Sequence, residues 1–355
     1  MNMNYYIIKL LSRQKYLKEG FLTLEEEYLC EKIVMEDRKL FNLIKEDLMK
    51  VERELFNEVA EREEYLNDPA LHLLRAGGKR LRPAFALLSA KLGDYEFEKV
   101  KPLAVALELI HMATLVHDDV VDNSFLRRGL PTVKANWGNK ISVHIGDRIF
   151  ARSLILIDAC KNSYVAKVLS DVSVKMSAGE IQQLNSAKRI STSVKEYLLK
   201  IRRKTALLLS ASCELGGVMA NVPSRVVSAL KIYGLYVGMA FQIIDDILDF
   251  TADEKVLGKP VGSDLKQGLI TLPVLLALKN DKNNKLWTEL LKLNNSTANV
   301  EQIISEVKAL GGINEAYVWA KNYVDKAIKA FEFVPNSPVK DSFLEIAKFI
   351  VARNY

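Results

Sequence analysis

Three aspartates spaced i, i+1 and i+4 close one apolar run of this chain: Asp118, Asp119 and Asp122 in "LVHDDVVDNSFLRRG", residues 115–129. The same spacing recurs at Asp245, Asp246 and Asp249 in "FQIIDDILDF", residues 241–250. On a helix, residues four apart share a face, so Asp118 and Asp122 point the same way, with Asp119 beside them. Carboxylates this close repel, and the negative end of a helix dipole disfavours them further. One such cluster is compatible with a solvated acidic turn. Two, each ending an apolar helix, demand cationic compensation. Hard oxygen ligands with open positions suit Mg²⁺, which binds through one or two carboxylates and completes its shell with substrate phosphates. The simplest arrangement sets the two helices across a cavity, with both clusters at its mouth and several ions around one polyanion.

Basic residues in short connections could serve the same polyanion. "AGGKRLRP" places Lys79, Arg80 and Arg82 after a flexible Gly-Gly, and Arg127 and Arg128 follow the first acids. "RRKTALLL" gives Arg203, Lys204 and Thr205, and "GKPVGSDLKQG" gives Lys259 and Lys266. Each alone is compatible with a solvated surface charge. Arginine forks and lysine point charges also suit diphosphates.

The elements that must hold these residues read as helices nearly throughout. In 40–59, Leu40, Leu43, Ile44, Leu48, Val51 and Leu55 form one stripe. Further helical patterns cover 100–122, 164–184, 194–220 and 224–250, followed by 270–293, 299–310, 312–332 and 338–352. Alternating strand patterns bounded by turn signals are absent from the sequence. The breaks "RAGGKRLRP", "RRGLPT", "NVPS" and "LGKPVGSDLKQG" look like connections within one domain. The fold expected from pattern alone is all-α. Residues 1–34 read as a loose extension, and a domain from residue 35 to residue 355 follows.

Composition excludes several classes. The formal net charge is +6, but no Lys/Arg block resembles a nucleic-acid-binding tail. Cys30, Cys160 and Cys213 are far apart, which reads as reduced thiols of a cytoplasmic protein. The four histidines His72, His111, His117 and His144 do not pair with a cysteine, so a zinc site is not expected. No uninterrupted apolar run reaches the roughly 18–20 residues of a membrane span; the longest, 226–250, is broken by Lys231. The acids of "LEEEYLCEKI" argue against a transit peptide at the start.

The ordered motifs "GGKRLRP", "HDDVVDNSFLRRGLPT", "GDRIFARSL", "RRKTALL", "FQIIDDILDF", "GKPVGSDLKQGLITLPVL" and the final "ARNY" resemble those of the trans-isoprenyl diphosphate synthases, or polyprenyl synthases. The resemblance spans residues 40–355. It implies an isoprenoid synthase fold, a bundle of ten or more helices around a deep central cavity. It also implies head-to-tail condensation of isopentenyl diphosphate with an allylic diphosphate, using about three Mg²⁺ ions. By that resemblance Asp118, Asp122, Asp245 and Asp249 hold the metal, and Asp119 and Asp246 belong to the same catalytic motifs. Arg127, Lys204 and Lys259 neutralise the leaving group. Thr205 and Gln242 shield the allylic cation, while Lys79, Arg82, His111 and Arg128 bind isopentenyl diphosphate. The family's mechanism needs no side-chain base.

Chain length is implied by the residues one turn or slightly more before Asp118. These are Ala113 and Thr114, and in the family small residues there let the product extend. "IHMATLVHDDVVD" is similar to long-chain bacterial enzymes, heptaprenyl synthase catalytic subunits above all. The product expected has about 30–40 carbons, and each fully buried isoprene unit adds about 3–4 kcal/mol of grip. The destination expected is a quinone side chain. The assembly expected is a homodimer, or a heterodimer with a small non-catalytic subunit, with at most peripheral membrane contact. Geranylgeranyl diphosphate synthase is the alternative reading. A terpene cyclase is disfavoured by the second aspartate motif, and a non-catalytic regulatory subunit by the integrity of both. His144 and Arg148 depart from the small and aromatic residues usual at their positions.

Overall fold

A computed structural model describes residues 41–60, 64–186, 193–251, 261–293 and 299–352. The expected boundary at residue 35, Lys259 and the terminal "RNY" lie outside the described residues. The chain divides into two compact units, one comprising residues up to Leu88 together with Glu96–Lys161, the other Ser89–Tyr95 with Asn162 onward.

The first unit holds α1 (Lys45–Val59), α2 (Glu64–Arg75), α3 (Leu81–Ala90, less its last two residues), α4 (Phe97–Val121) and α5 (Val133–Ala159). The apolar face of α1 buries Leu48, Val51, Leu55 and Phe56, four of the side chains a helical stripe requires. α4 is buried along nearly its whole middle, from Leu103 to Ile110, and packs chiefly on α5. α5 starts at Thr132, whose hydroxyl accepts from the Ala135 N–H at 3.1 Å, and Gly138 breaks its helical geometry at φ 80°. α2, α3 and α5 were not foreseen as helices. The connection "RRGLPT" contains a small antiparallel pair, Leu126–Arg127 with Leu130–Pro131. Strand pairing was not expected; a two-residue hairpin needs only a turn that accepts positive φ.

The second unit holds α6 (Ser163–Ser186), α7 (Val194–Ile201), α8 (Leu207–Met219) and α9 (Ser224–Thr251). After these come α10 (Ser263–Lys266), α11 (Leu272–Asn280), α12 (Lys285–Leu293), α13 (Val300–Ala309), α14 (Gly312–Ala330) and α15 (Pro338–Ala352). Ser193 and Glu196 form a reciprocal capping box at the start of α7. The stretch expected to be helical over 194–220 carries a π-turn at Arg202–Ala206. The stretch 270–293 divides because the Asp281 carboxylate accepts the N–H groups of Lys285 and Trp287, at 3.0 and 2.9 Å, and so starts α12 afresh. α9 packs on α8 and α14. Gly238 lets α9 approach the π-turn that leads into α8, since a Cβ there would lie 2.6 Å from the Ala206 Cα. Tyr233, Phe331 and Phe343 form an aromatic core with ring centroids 4.7–5.0 Å apart.

α4 and α9 are long and apolar enough to cross a membrane by length and composition, contrary to the sequence expectation. More than half of each apolar window is buried inside the protein, which accounts for its hydrophobicity. Cys160 and Cys213 are buried free thiols, and burial pushes Cys160 up to about 11. Cys30 lies outside the described residues.

Candidate active site

The first acid cluster stands where α4 ends. Asp122 is the C-cap, its N–H donating to the Asp118 carbonyl at 2.8 Å, and both side chains are partly exposed. Asp119 differs: it is 2 % exposed and lies in the fork of Arg127. Burial pushes its carboxyl up against the pull of that guanidinium. Arg127, expected to serve the leaving group, therefore already has a carboxylate partner. Arg128 and Gly129 have φ 52° and 75°, the two positive values that a tight two-residue hairpin requires. His72 fixes the far strand by donating from Nε2 to the Pro131 carbonyl at 2.6 Å. Lys134 donates to Asn123 Oδ1 and lies over the Phe125 ring, 4.5 Å from its centroid.

Of the expected isopentenyl cluster, Arg82 and Arg128 lie within electrostatic reach of His111. His111 is partly buried, and Arg82, Arg128, Arg127 and Arg80 all act on its charge. Burial first, and then those four cations, hold its imidazole well below the usual range, so it is neutral. Lys79 is exposed and Arg82 is the second residue of α3. Arg80, read with Lys79 and Arg82 as a basic residue that could serve the polyanion, is instead buried between Glu52 and Glu108. Its place in the motif was a signal, but its partners, 28 residues away on either side, were not.

One turn before the acids, Ala113 is buried, while Thr114 is half-buried and donates to the His111 carbonyl at 2.7 Å. The His117 ring packs on Gly146, where a Cβ would come within 2.3 Å of Nε2, and the same nitrogen is 3.2 Å from Asp147 Oδ1. His144 and Arg148 lie on the exposed face of α5.

In the second unit only the first of the three aspartates reaches solvent. Asp245 is half-buried, and Asp246 is buried between the Tyr197 hydroxyl at 2.6 Å and Gln242 Nε2 at 2.9 Å. Burial, then the neighbouring Asp264, pushes Asp246 up to about 7. Asp249 is 0 % exposed, and its Oδ2 accepts the Asp264 N–H at 3.1 Å. Tyr197 and Asp264 were missed by sequence reasoning; only the acid in "VGSDL" offered a hint. The π-turn carries Lys204, which pairs with Glu180 at 3.0 Å, and Thr205, which donates to Gln242 Oε1 at 2.7 Å. Because the Gln242 amide nitrogen faces Asp246, its oxygen must face Thr205. The Thr205 proton is thereby committed, and its oxygen lone pairs are left to face elsewhere. Such π-turns are frequent at functional sites.

Among the described residues, no three His, Cys, Asp or Glu side chains form a cage that could hold a cation unaided. Of the six motif aspartates, Asp118 and Asp122 in the first unit and Asp245 in the second reach solvent. Few protein ligands, all hard oxygens, fit magnesium, which takes the rest of its shell from water and phosphate.

Residues 63–307 match the family model described as polyprenyl synthetase. Heptaprenyl diphosphate synthase component 2 of Geobacillus stearothermophilus is 44 % identical over 321 residues, covering 90 % of this chain and 100 % of the relative. The crystal structure of heptaprenyl diphosphate synthase from Staphylococcus aureus superposes with a TM-score of 0.84 at 38 % identity, covering 88 % of this chain and 99 % of that one. A polyprenyl synthase from Caulobacter crescentus CB15, complexed with calcium and isoprenyl diphosphate, gives 0.84 at 34 % identity, with 89 % and 97 % covered.

Proposed function

The chain belongs to the polyprenyl synthetase family, a family of prenyltransferases with the all-α isoprenoid synthase fold, and from that premise we propose that it is the catalytic subunit of a trans-polyprenyl diphosphate synthase. In this reading it condenses isopentenyl diphosphate with an allylic diphosphate. The observation that carries it is the crowding of Arg80 and Arg128, whose terminal nitrogens come within 3.0 Å of one point beside Gly78, near a His111 whose protonated form they and Arg82 oppose. Guanidinium forks match the oxygens of a diphosphate, and a neutral imidazole can donate to it without adding to the crowding of charge.

Asp118, Asp122 and Asp245 would hold magnesium; Asp249, expected with them, is buried and accepts the Asp264 N–H instead. When bound, the metal neutralises charge on the departing diphosphate. Lys204 supplies a further point charge, and so does Lys259. The allylic C–O bond breaks, and the Thr205 oxygen turns its lone pairs toward the carbocation. Lys79, Arg82, His111 and Arg128 hold isopentenyl diphosphate, whose double bond attacks that carbon. The new cation loses a proton to the released diphosphate, which acts as the base.

The product proposed is heptaprenyl diphosphate, destined for a quinone side chain. Ala113 and Thr114 support a long product by their size, and the 44 % identical relative carries that name. The word "component" in the relative's name favours assembly with a second subunit over a homodimer. The test is incubation with radiolabelled isopentenyl diphosphate, an allylic primer and magnesium, followed by product sizing. It is run with the chain alone and with a small subunit added. Polyprenyl diphosphate is expected, lost on chelation and in the Asp118→Ala/Asp122→Ala variant at unchanged helical content. No condensation under either condition would sink the reading. A geranylgeranyl product would overturn the length and leave the prenyl transfer standing.

A further inference from the structure

Three buried charges lie beneath the basic cluster and take no part in the reaction as written. Arg80 is 4 % exposed, Glu52 0 % and Glu108 2 %. Glu52 on α1 receives two bonds from Arg80, Nε to Oε2 at 2.6 Å and Nη2 to Oε1 at 2.7 Å. Arg80 Nη1 reaches Glu108 Oε1 on α4 at 3.3 Å and the Gly77 carbonyl at 3.5 Å. The other Glu108 oxygen is buried and accepts from no donor among the described residues. The Arg80 backbone is left-handed, φ 46°. A non-glycine residue keeps that conformation only where its surroundings over-determine it.

Arg80 also has a like-charged neighbour. Its Nη1 and both terminal nitrogens of Arg128 come within 3.0 Å of one point, the place a side chain on Gly78 would occupy. Two guanidiniums sharing that space repel unless carboxylates stand behind them. Two buried glutamates against one buried arginine leave negative charge directly underneath.

We propose that Glu52 and Glu108 are positioning residues for substrate binding. They lock Arg80 under the Gly77–Gly78 turn, and Arg80 in turn sets where Lys79, Arg82 and Arg128 meet the isopentenyl diphosphate. This rests on reading the cluster as the isopentenyl diphosphate site. The negative charge of Glu52 and Glu108 lets Arg80 and Arg128 stand side by side.

Arg80→Lys keeps the charge and loses the fork. Glu108→Gln keeps an acceptor for Arg80 and removes a negative charge. A cluster acting only through its net field would leave the KM for isopentenyl diphosphate unchanged in the first variant and lower it in the second. Positioning requires both to raise that KM about tenfold, with kcat and the KM of the allylic diphosphate held within about twofold. Gly78→Ala removes no charge and puts a methyl between the two guanidiniums. It should raise the same KM, and it carries the test if neither buried variant keeps its circular dichroism. An unchanged or lowered KM in any folded variant, or an equal rise for both substrates, overturns the inference. Wild-type condensation in the same assay separates that failure from failure of the functional reading, whose loss would take this inference with it.

Discussion

Arg127 holds Asp119 in a fork, with Nε 3.0 and 3.1 Å from the two carboxylate oxygens and Nη2 2.8 Å from one of them. The aspartate between the two solvent-reaching ones thus anchors the loop after α4. Arg127→Lys keeps one contact at best and leaves a buried carboxylate partly unsatisfied. Hydrogen bonds to charged groups are worth about 1.5–3 kcal/mol, and urea unfolding should register a loss of that order. A change below about 0.5 kcal/mol would mean that the fork is dispensable to the fold.

His111 gives a pH signature of its own. The unfolded chain takes up an imidazole proton near pH 6.5, while the folded side chain stays neutral because burial and the four arginines oppose its charge. The unfolded state therefore binds more protons below that value, and stability falls with falling pH. The contribution is complete above pH 6.5 and is lost as pH drops toward the lower folded value. Unfolding free energies of wild type and His111→Gln should converge as pH is lowered from about 7 to about 5. A difference that does not vary with pH would show His111 titrating normally.

Thr205→Val removes a hydroxyl whose proton is committed to Gln242 at 2.7 Å. If that oxygen stabilises a carbocation, kcat should fall about 10²-fold, as when one preorganised polar group is removed. Thr205→Ser should restore most of it. Equal losses in the Ser and Val variants would point to packing instead.

Thr114→Phe should shorten the product ladder, since Thr114 is half-buried at the turn before Asp118. Ala113→Phe tests the same wall at a fully buried position, where overpacking costs about 1–3 kcal/mol. Its thermal midpoint should fall as well. An unchanged ladder in both variants would move the limit on chain length to another part of the protein.

The all-helical architecture was legible because apolar residues recur at helical spacing in nearly every stretch. The division of labour inside each aspartate motif was half legible. A residue one position on lies about 100° round the helix, so Asp119 and Asp246 could not share the outlook of Asp118 and Asp245. Their partners could not be read, because Arg127 and Tyr197 meet them only through tertiary packing. The break at Asp281 was missed although "NDKNNK" offered turn residues, since the apolar pattern on both sides is continuous. In the sequence the buried Arg80 read as one more basic residue that could face the polyanion. Only folding brings Glu52 and Glu108 to it, and no spacing rule foretells contacts between separate helices.

The contact of His117 with Gly146 has a mechanical meaning. A ring seated where a side chain is missing acts as a key in a slot. α4 cannot slide along α5 by one residue, about 1.5 Å, without bringing a side chain under that ring. The end of α4 that bears Asp118 and Asp122 is thus indexed to a single register against α5. Loosening that contact would disturb the placement of both aspartates at once.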